Sequence, residues 1–375
     1  MDGTERVGAG DEMKHAHIDR SLRAAMTSVI AVGLFAAGCD TYSRDDILFR
    51  RGVPSVEDLA LEPPGAKADE ASDGEASASV ARRALDACRD DSLRCTAQNI
   101  ATSLNGLTRG LITIIDFVRL LPPTRRETGR RVWGPHHNER EDRTHRFEMV
   151  KNLDANGDFD GTLTFCLHVA RGEVEWRLRD PVDCSVVEDA ESGLTLVLSG
   201  VITPGEEDSN AARTGSGTLV LDANRMAAIS GDRGLLGVLD IQYDNTSDPK
   251  TISMAITDVE DAEENPIPDN AAYAFVGYDD GSGRFDFVVK TDLVRPNPFA
   301  DSLLERFDIR ARWQADGAGR AEAEASGGDI VEVDSWNVTE CWDGGLSTTW
   351  RRSDDPSVTP IGNDEALDCA LTTFE

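Results

Sequence analysis

The sequence predicts a mainly β fold with a helical lead-in. The expected architecture is a large antiparallel β meander, a curved sheet forming a half-barrel or barrel, preceded by a short helical segment. Three observations carry this expectation. From Arg130 onward apolar residues recur with a period of two. Turn-forming clusters interrupt that stretch at hairpin spacing, and no helical pattern intervenes to carry a parallel crossover. Ahead of it lies one block of helical period, stopped by Pro122 and Pro123.

The N-terminal stretch Arg20–Cys39, RSLRAAMTSVIAVGLFAAGC, has two arginines, an apolar run from Ala24 to Ala37, and small residues before a cysteine. A run of about 14 residues is too short to span a bilayer and follows the secretory pattern. With Ala36-Ala37-Gly38 before Cys39, the stretch resembles a bacterial lipoprotein signal with its lipobox. That resemblance implies removal of residues 1–38, acylation of Cys39, and export to the cell envelope with anchorage through the acyl groups. The usual Leu three residues before the cysteine is Ala36 here, and a start at Met13 would give a more ordinary n-region. Asp40 resembles the inner-membrane retention signal of enteric lipoproteins, a rule of that lineage, so the resemblance leaves both the outer and the inner membrane open.

Residues 39–77 are rich in Asp, Glu, Ala, Ser and Pro and are expected to form a disordered acidic tether. Residues 78–123 form the helical segment. Val80, Ala84, Ala87 and Cys88 share one face, and a second piece begins near Leu93 after Asp90-Asp91-Ser92. Leu104, Leu107, Leu111, Ile114, Val118 and Leu121 then recur at helical spacing, with Gly106 and Gly110 allowing close packing.

Residues 124–352 are the β domain, with about a dozen strands. Leu163, Phe165, Leu167 and Val169 share a face, as do Phe285, Phe287 and Val289, and Phe307, Ile309, Ala311 and Trp313. Ala321, Ala323 and Ala325 point inward opposite Glu322 and Glu324. Each strand is expected to keep one wet face. Turns are expected at 155–158, 279–283 and 315–319. Residues 353–375 form an irregular tail. A helix followed by a long meander on a lipoprotein anchor is similar, at the level of fold alone, to the half-barrel lipid-carrier lipoproteins.

A formal net charge of −31 argues against binding nucleic acid through phosphates. Of seven cysteines, six remain once Cys39 is set aside, an even number that suits an oxidising compartment. Proximity along the chain suggests the pairs Cys88–Cys95, Cys166–Cys184 and Cys341–Cys369. The first requires a break at Asp90-Asp91-Ser92, because a continuous helix would hold those two residues about 10.5 Å apart.

The sharpest candidate for chemistry is Asp154, Asn156, Asp158 and Asp160, oxygen ligands at alternate positions that would suit Ca²⁺. A hairpin turn explains the same residues better: Phe159 and Phe165 stand where an EF-hand needs Gly and Glu. His136, His137 and His145 with Glu139, Glu141 and Asp142 could bind zinc. Adjacent histidines on extended backbone point apart, however, so a polar connector between helix and sheet is the favoured reading. Trp336, Trp342 and Trp350 could form an aromatic platform, or pack around a disulfide. No nucleophile elbow, P-loop or dinucleotide fingerprint is present. The expected function is therefore non-enzymatic: an envelope lipoprotein whose β domain binds an apolar ligand or a protein partner. The alternative is a structural or surface-display lipoprotein with a solid core. No cofactor is expected beyond the calcium candidate.

Overall fold

The computed structural model describes residues 43–64, 92–174, 184–185, 187–189, 193–205, 215–230, 237–260, 266–267, 271–291, 304–328, 330, 335–356 and 358–372. The expected signal stretch, Cys39, Asp40 and the helical pattern around Val80–Cys88 lie outside them.

Among the described residues two α-helices precede the sheet, α1 (Arg44–Gly52) and α2 (Leu93–Leu120). The first strands are β1 (Arg125–Glu127), β2 (Arg130–Asn138), β3 (Arg143–Leu153), β4 (Phe159–Arg171), β5 (Glu188–Asp189), β6 (Leu194–Thr203) and β7 (Ser216–Asp222). Helix α3 (Ala223–Ser230) leads into β8 (Val238–Asp244) and β9 (Lys250–Thr257). A two-residue ribbon, β10 (Val259–Glu260) with β11 (Pro266–Ile267), stands apart from the main sheet. The series continues with β12 (Ala271–Gly277), β13 (Gly283–Thr291), β14 (Glu305–Trp313), β15 (Gly319–Gly327), β16 (Trp336–Trp342) and β17 (Thr348–Ser353), then α4 (Glu365–Asp368).

The main sheet is a meander of 15 strands. Fourteen follow chain order from β1 to β17, every pair antiparallel, and β5 pairs onto β6. Its two edges do not pair with each other, so the sheet is open and forms no barrel.

Helix α2 lies along the inner face of this sheet. Its apolar stripe (Leu93, Ala97, Ile100, Leu104, Leu111, Ile115, Val118) joins Phe147, Phe165, Phe285, Ile309 and Trp342 in one continuous core. The N-terminus of the helix is held by β16, and the Leu121 carbonyl at its other end accepts the Trp133 indole N–H from β2 at 2.9 Å. Eleven steps separate β2 from β16 along the sheet, about 53 Å of sheet at roughly 4.8 Å per step. The 28-residue helix is only about 42 Å long. The sheet is therefore bowed, with α2 as its chord.

Two expectations need correction. The disordered tether does not extend over residues 43–64. They form α1, a 3-10 turn (Glu57–Leu59) and an extended run, with Phe49, Val53, Leu59 and Leu61 fully buried. These few apolar residues could not build a core alone, but the sheet and α2 offer them one. The Asn105 amide, for example, pairs with both backbone groups of Leu61, at 2.7 and 2.8 Å. The single wet face also fails at β3 and β4. Arg146, Glu148, Cys166 and His168 face outward by register yet are buried. The Cys166–Cys184 bridge ties Cys184 to that side. On β13 and β14 the expected alternation holds, with Arg284, Arg306 and Arg310 exposed.

Candidate functional site

The calcium candidate is the β3–β4 turn. The Asp154 N–H donates to the Asp158 carbonyl at 2.7 Å, and the Gly157 N–H to the Asp154 carbonyl at 3.0 Å. Asp154 Oδ1 accepts the backbone N–H groups of Asn156 and Asp158, which holds its carboxyl below the usual carboxylate range. Asp160 Oδ1 accepts the N–H and hydroxyl of Thr162, both at 2.7 Å. The same pair of backbone bonds closes the turns Tyr278–Ser282, Gln314–Ala318 and Asp343–Ser347. In each, an aspartate oxygen accepts a turn N–H. The aspartates thus serve turn formation, and local side chain–backbone bonding is the reason they are there. Among the described residues no group of three or more His, Cys, Asp or Glu is arranged to hold a metal.

The histidine stretch is a hairpin rather than a connector between helix and sheet. His136 stands opposite His145 across β2 and β3, while His137 Nδ1 lies 3.3 Å from the Thr144 hydroxyl. The adjacent histidines therefore diverge, as extended backbone requires. Burial, reinforced by Arg143 and His136, pushes His145 down to about 4, and burial lowers His136 as well.

Two cysteine pairs are bridged as expected, Cys166–Cys184 and Cys341–Cys369. Cys95 is also disulfide-bonded, and its expected partner, Cys88, lies outside the described residues. The tryptophans do not form a platform. The Trp342 ring covers Gly319 in the inner core and donates its N–H to the Gly317 carbonyl at 2.8 Å. Trp350 packs on the Cys341–Cys369 bridge in a separate cluster.

Three buried ionic clusters went unseen in the sequence. On the first, Asp46 of α1 takes the Arg131 guanidinium at 2.5 Å and Arg126 at 3.1 Å. It also closes a capping box with Ser43. Burial opposes its charge, but the bonds from Arg131, Ser43 and Arg126 outweigh it and hold the carboxyl below the ordinary value. In the second, Glu148 bridges Arg130 and Arg146 beneath the covered outer face. In the third, Glu340 accepts the Ser92 hydroxyl at 2.6 Å and the Leu93 and Arg94 N–H groups at 3.3 Å. Arg351 binds the same carboxylate through Nε and Nη2 at 2.8 and 2.6 Å. The first and third clusters dock helix ends onto strands; the second ties two strands together. The one sequence signal for them was a glutamate among Trp336, Val338 and Trp342, at an inward-facing register.

No family model matches this chain, and neither a curated protein nor a solved structure matches it.

Proposed function

We propose that the chain is an exported, acylated cell-envelope lipoprotein, anchored through Cys39, whose β domain is a solid scaffold. It works without catalysis, presenting its outer sheet face and loops to a protein partner. The observation that carries this reading is the filled inner face. Apolar residues of α2 and of strands β2 to β16 form one continuous core, and at its centre Ile100 and Ile115 of the helix and Phe147, Phe165, Phe285 and Ile309 of the sheet are each at most 1% exposed. A cavity for an acyl chain would leave its lining accessible, so the packing favours the scaffold over a lipid carrier.

The test is native mass spectrometry of the soluble Cys39→Ser protein purified from its envelope fraction without detergent. A single mass equal to the polypeptide is expected. A stoichiometric lipid adduct would replace the scaffold with a carrier. Fatty-acid labelling and membrane fractionation of wild type against Cys39→Ser test the anchor separately: both signals are expected to vanish in the variant.

A further inference from the structure

Resting on the anchored reading, we infer that the corner formed by α1 and the β3–β4 hairpin is the face that lies on the bilayer. Only four residue steps separate Cys39 from Ser43, a span of at most about 14 Å however it is arranged. Ser43 is where α1 is capped, and the capping partner Asp46 is clamped by Arg131 of β2. The folded domain therefore begins within one headgroup layer of the acylated residue, at a fixed point.

Large apolar side chains reach solvent on both elements. Ile47 on α1 is 44% exposed, Leu153 on β3 61% and Phe159 on β4 38%. These are three of the eight most exposed large apolar side chains among the described residues, and Leu153 stands opposite Phe159 in register. Lys151 links the two elements. Its ammonium lies 3.1 Å from Asp45 of α1, 5.9 Å from the Phe49 ring and 5.5 Å from the Phe159 ring. A lysine beside the exposed Phe159 ring and its cross-strand partner Leu153 is the composition of an interfacial contact.

Asp154, Asp158 and Asp160 flank the patch, so the contact is apolar and suits zwitterionic headgroups rather than anionic ones. Three half-exposed side chains are too few to hold a protein on a membrane alone. The acyl chains supply the affinity and the patch fixes the orientation.

The experiment is hydrogen exchange of the acylated protein on phosphatidylcholine vesicles, compared with the Cys39→Ser protein in solution. Amides of residues 153–161 are expected to exchange several-fold more slowly on vesicles, while the distant 278–282 turn is unchanged. Leu153→Asp combined with Ile47→Asp should stay on the vesicles and lose the protection. If wild type carries no acyl group and does not partition to vesicles, the anchored reading fails and this surface with it. If wild type is anchored but residues 153–161 exchange as in solution, the surface is wrong and the anchor stands. Protection that persists in the double variant, or that appears at 278–282 instead, also overturns the surface.

Discussion

The carboxylate of Glu340 sits at the N-terminus of a helix that begins 247 residues earlier, accepting the backbone N–H of Leu93 at 3.3 Å while Arg351 grips it from the neighbouring strand at 2.6 Å. One buried anion thus meets the helix dipole, two otherwise unpaired N–H groups and a guanidinium.

Substituting Glu340→Ala removes the carboxylate that Arg351 grips and the acceptor of the Leu93 and Arg94 N–H groups. The expected loss is about 3–5 kcal/mol of stability, read as a fall in the urea midpoint. The double variant Glu340→Ala with Arg351→Ala should lose less than the two single losses summed, because both single substitutions remove the same ion pair.

The Cys341–Cys369 bridge closes a loop of sequence separation 28. Chain entropy gives it about 3–4 kcal/mol. Replacing both cysteines with serine should lower the melting temperature and free the tail, including the contact of Arg320 with Glu365. Limited proteolysis beyond residue 353 reads that release.

Acid should weaken the protein through His145. Its folded pKa of about 4 lies below the ordinary 6.5, so between these values the unfolded chain binds a proton that the native state refuses. Stability then falls as pH drops from about 6.5 to 4, by at most about 3 kcal/mol. His136 acts in the same sense, and Glu141, raised by burial, acts in the opposite one. Asp46 titrates below this window. Denaturation curves at successive pH values should show a shallower slope for His145→Gln.

Two glycines separate crowding from backbone strain. A Cβ on Gly200 would meet the Thr218 carbonyl oxygen at 2.2 Å and the Phe165 ring at 2.5 Å. Gly200→Ala should cost about 1–3 kcal/mol by overpacking. A Cβ on Gly157 meets nothing within 4 Å, but φ is +86°. Gly157→Ala should cost about 1–2 kcal/mol through the left-handed backbone alone. Truncation at Phe165 should relieve only the ring part of the first, because the Thr218 carbonyl is backbone, and leave the second unchanged.

What was legible in the sequence was local. The alternation in RFDIRARWQA gave the inward faces of Phe307, Ile309 and Trp313, and Asn156-Gly157 gave a turn, because each depends on neighbours two to four residues away. The packing of residues 43–64 depends on Asn105, Asn245 and Lys250, far along the chain. Composition therefore made the segment look like a tether. Glu148 and His168 are buried although they stand at outward-facing registers, which strand periodicity cannot reveal.

The chord-like helix also has a consequence for timing. Its C-terminal carbonyl finds Trp133 within a dozen residues, but the carboxylate that accepts its Leu93 and Arg94 N–H groups comes from residue 340. A chain made N-terminus first presents the helix at the beginning and this carboxylate nearly at the end. A product truncated before β16 holds a helix whose buried first turn has no carboxylate to receive it, and quality-control proteases gain their opening there.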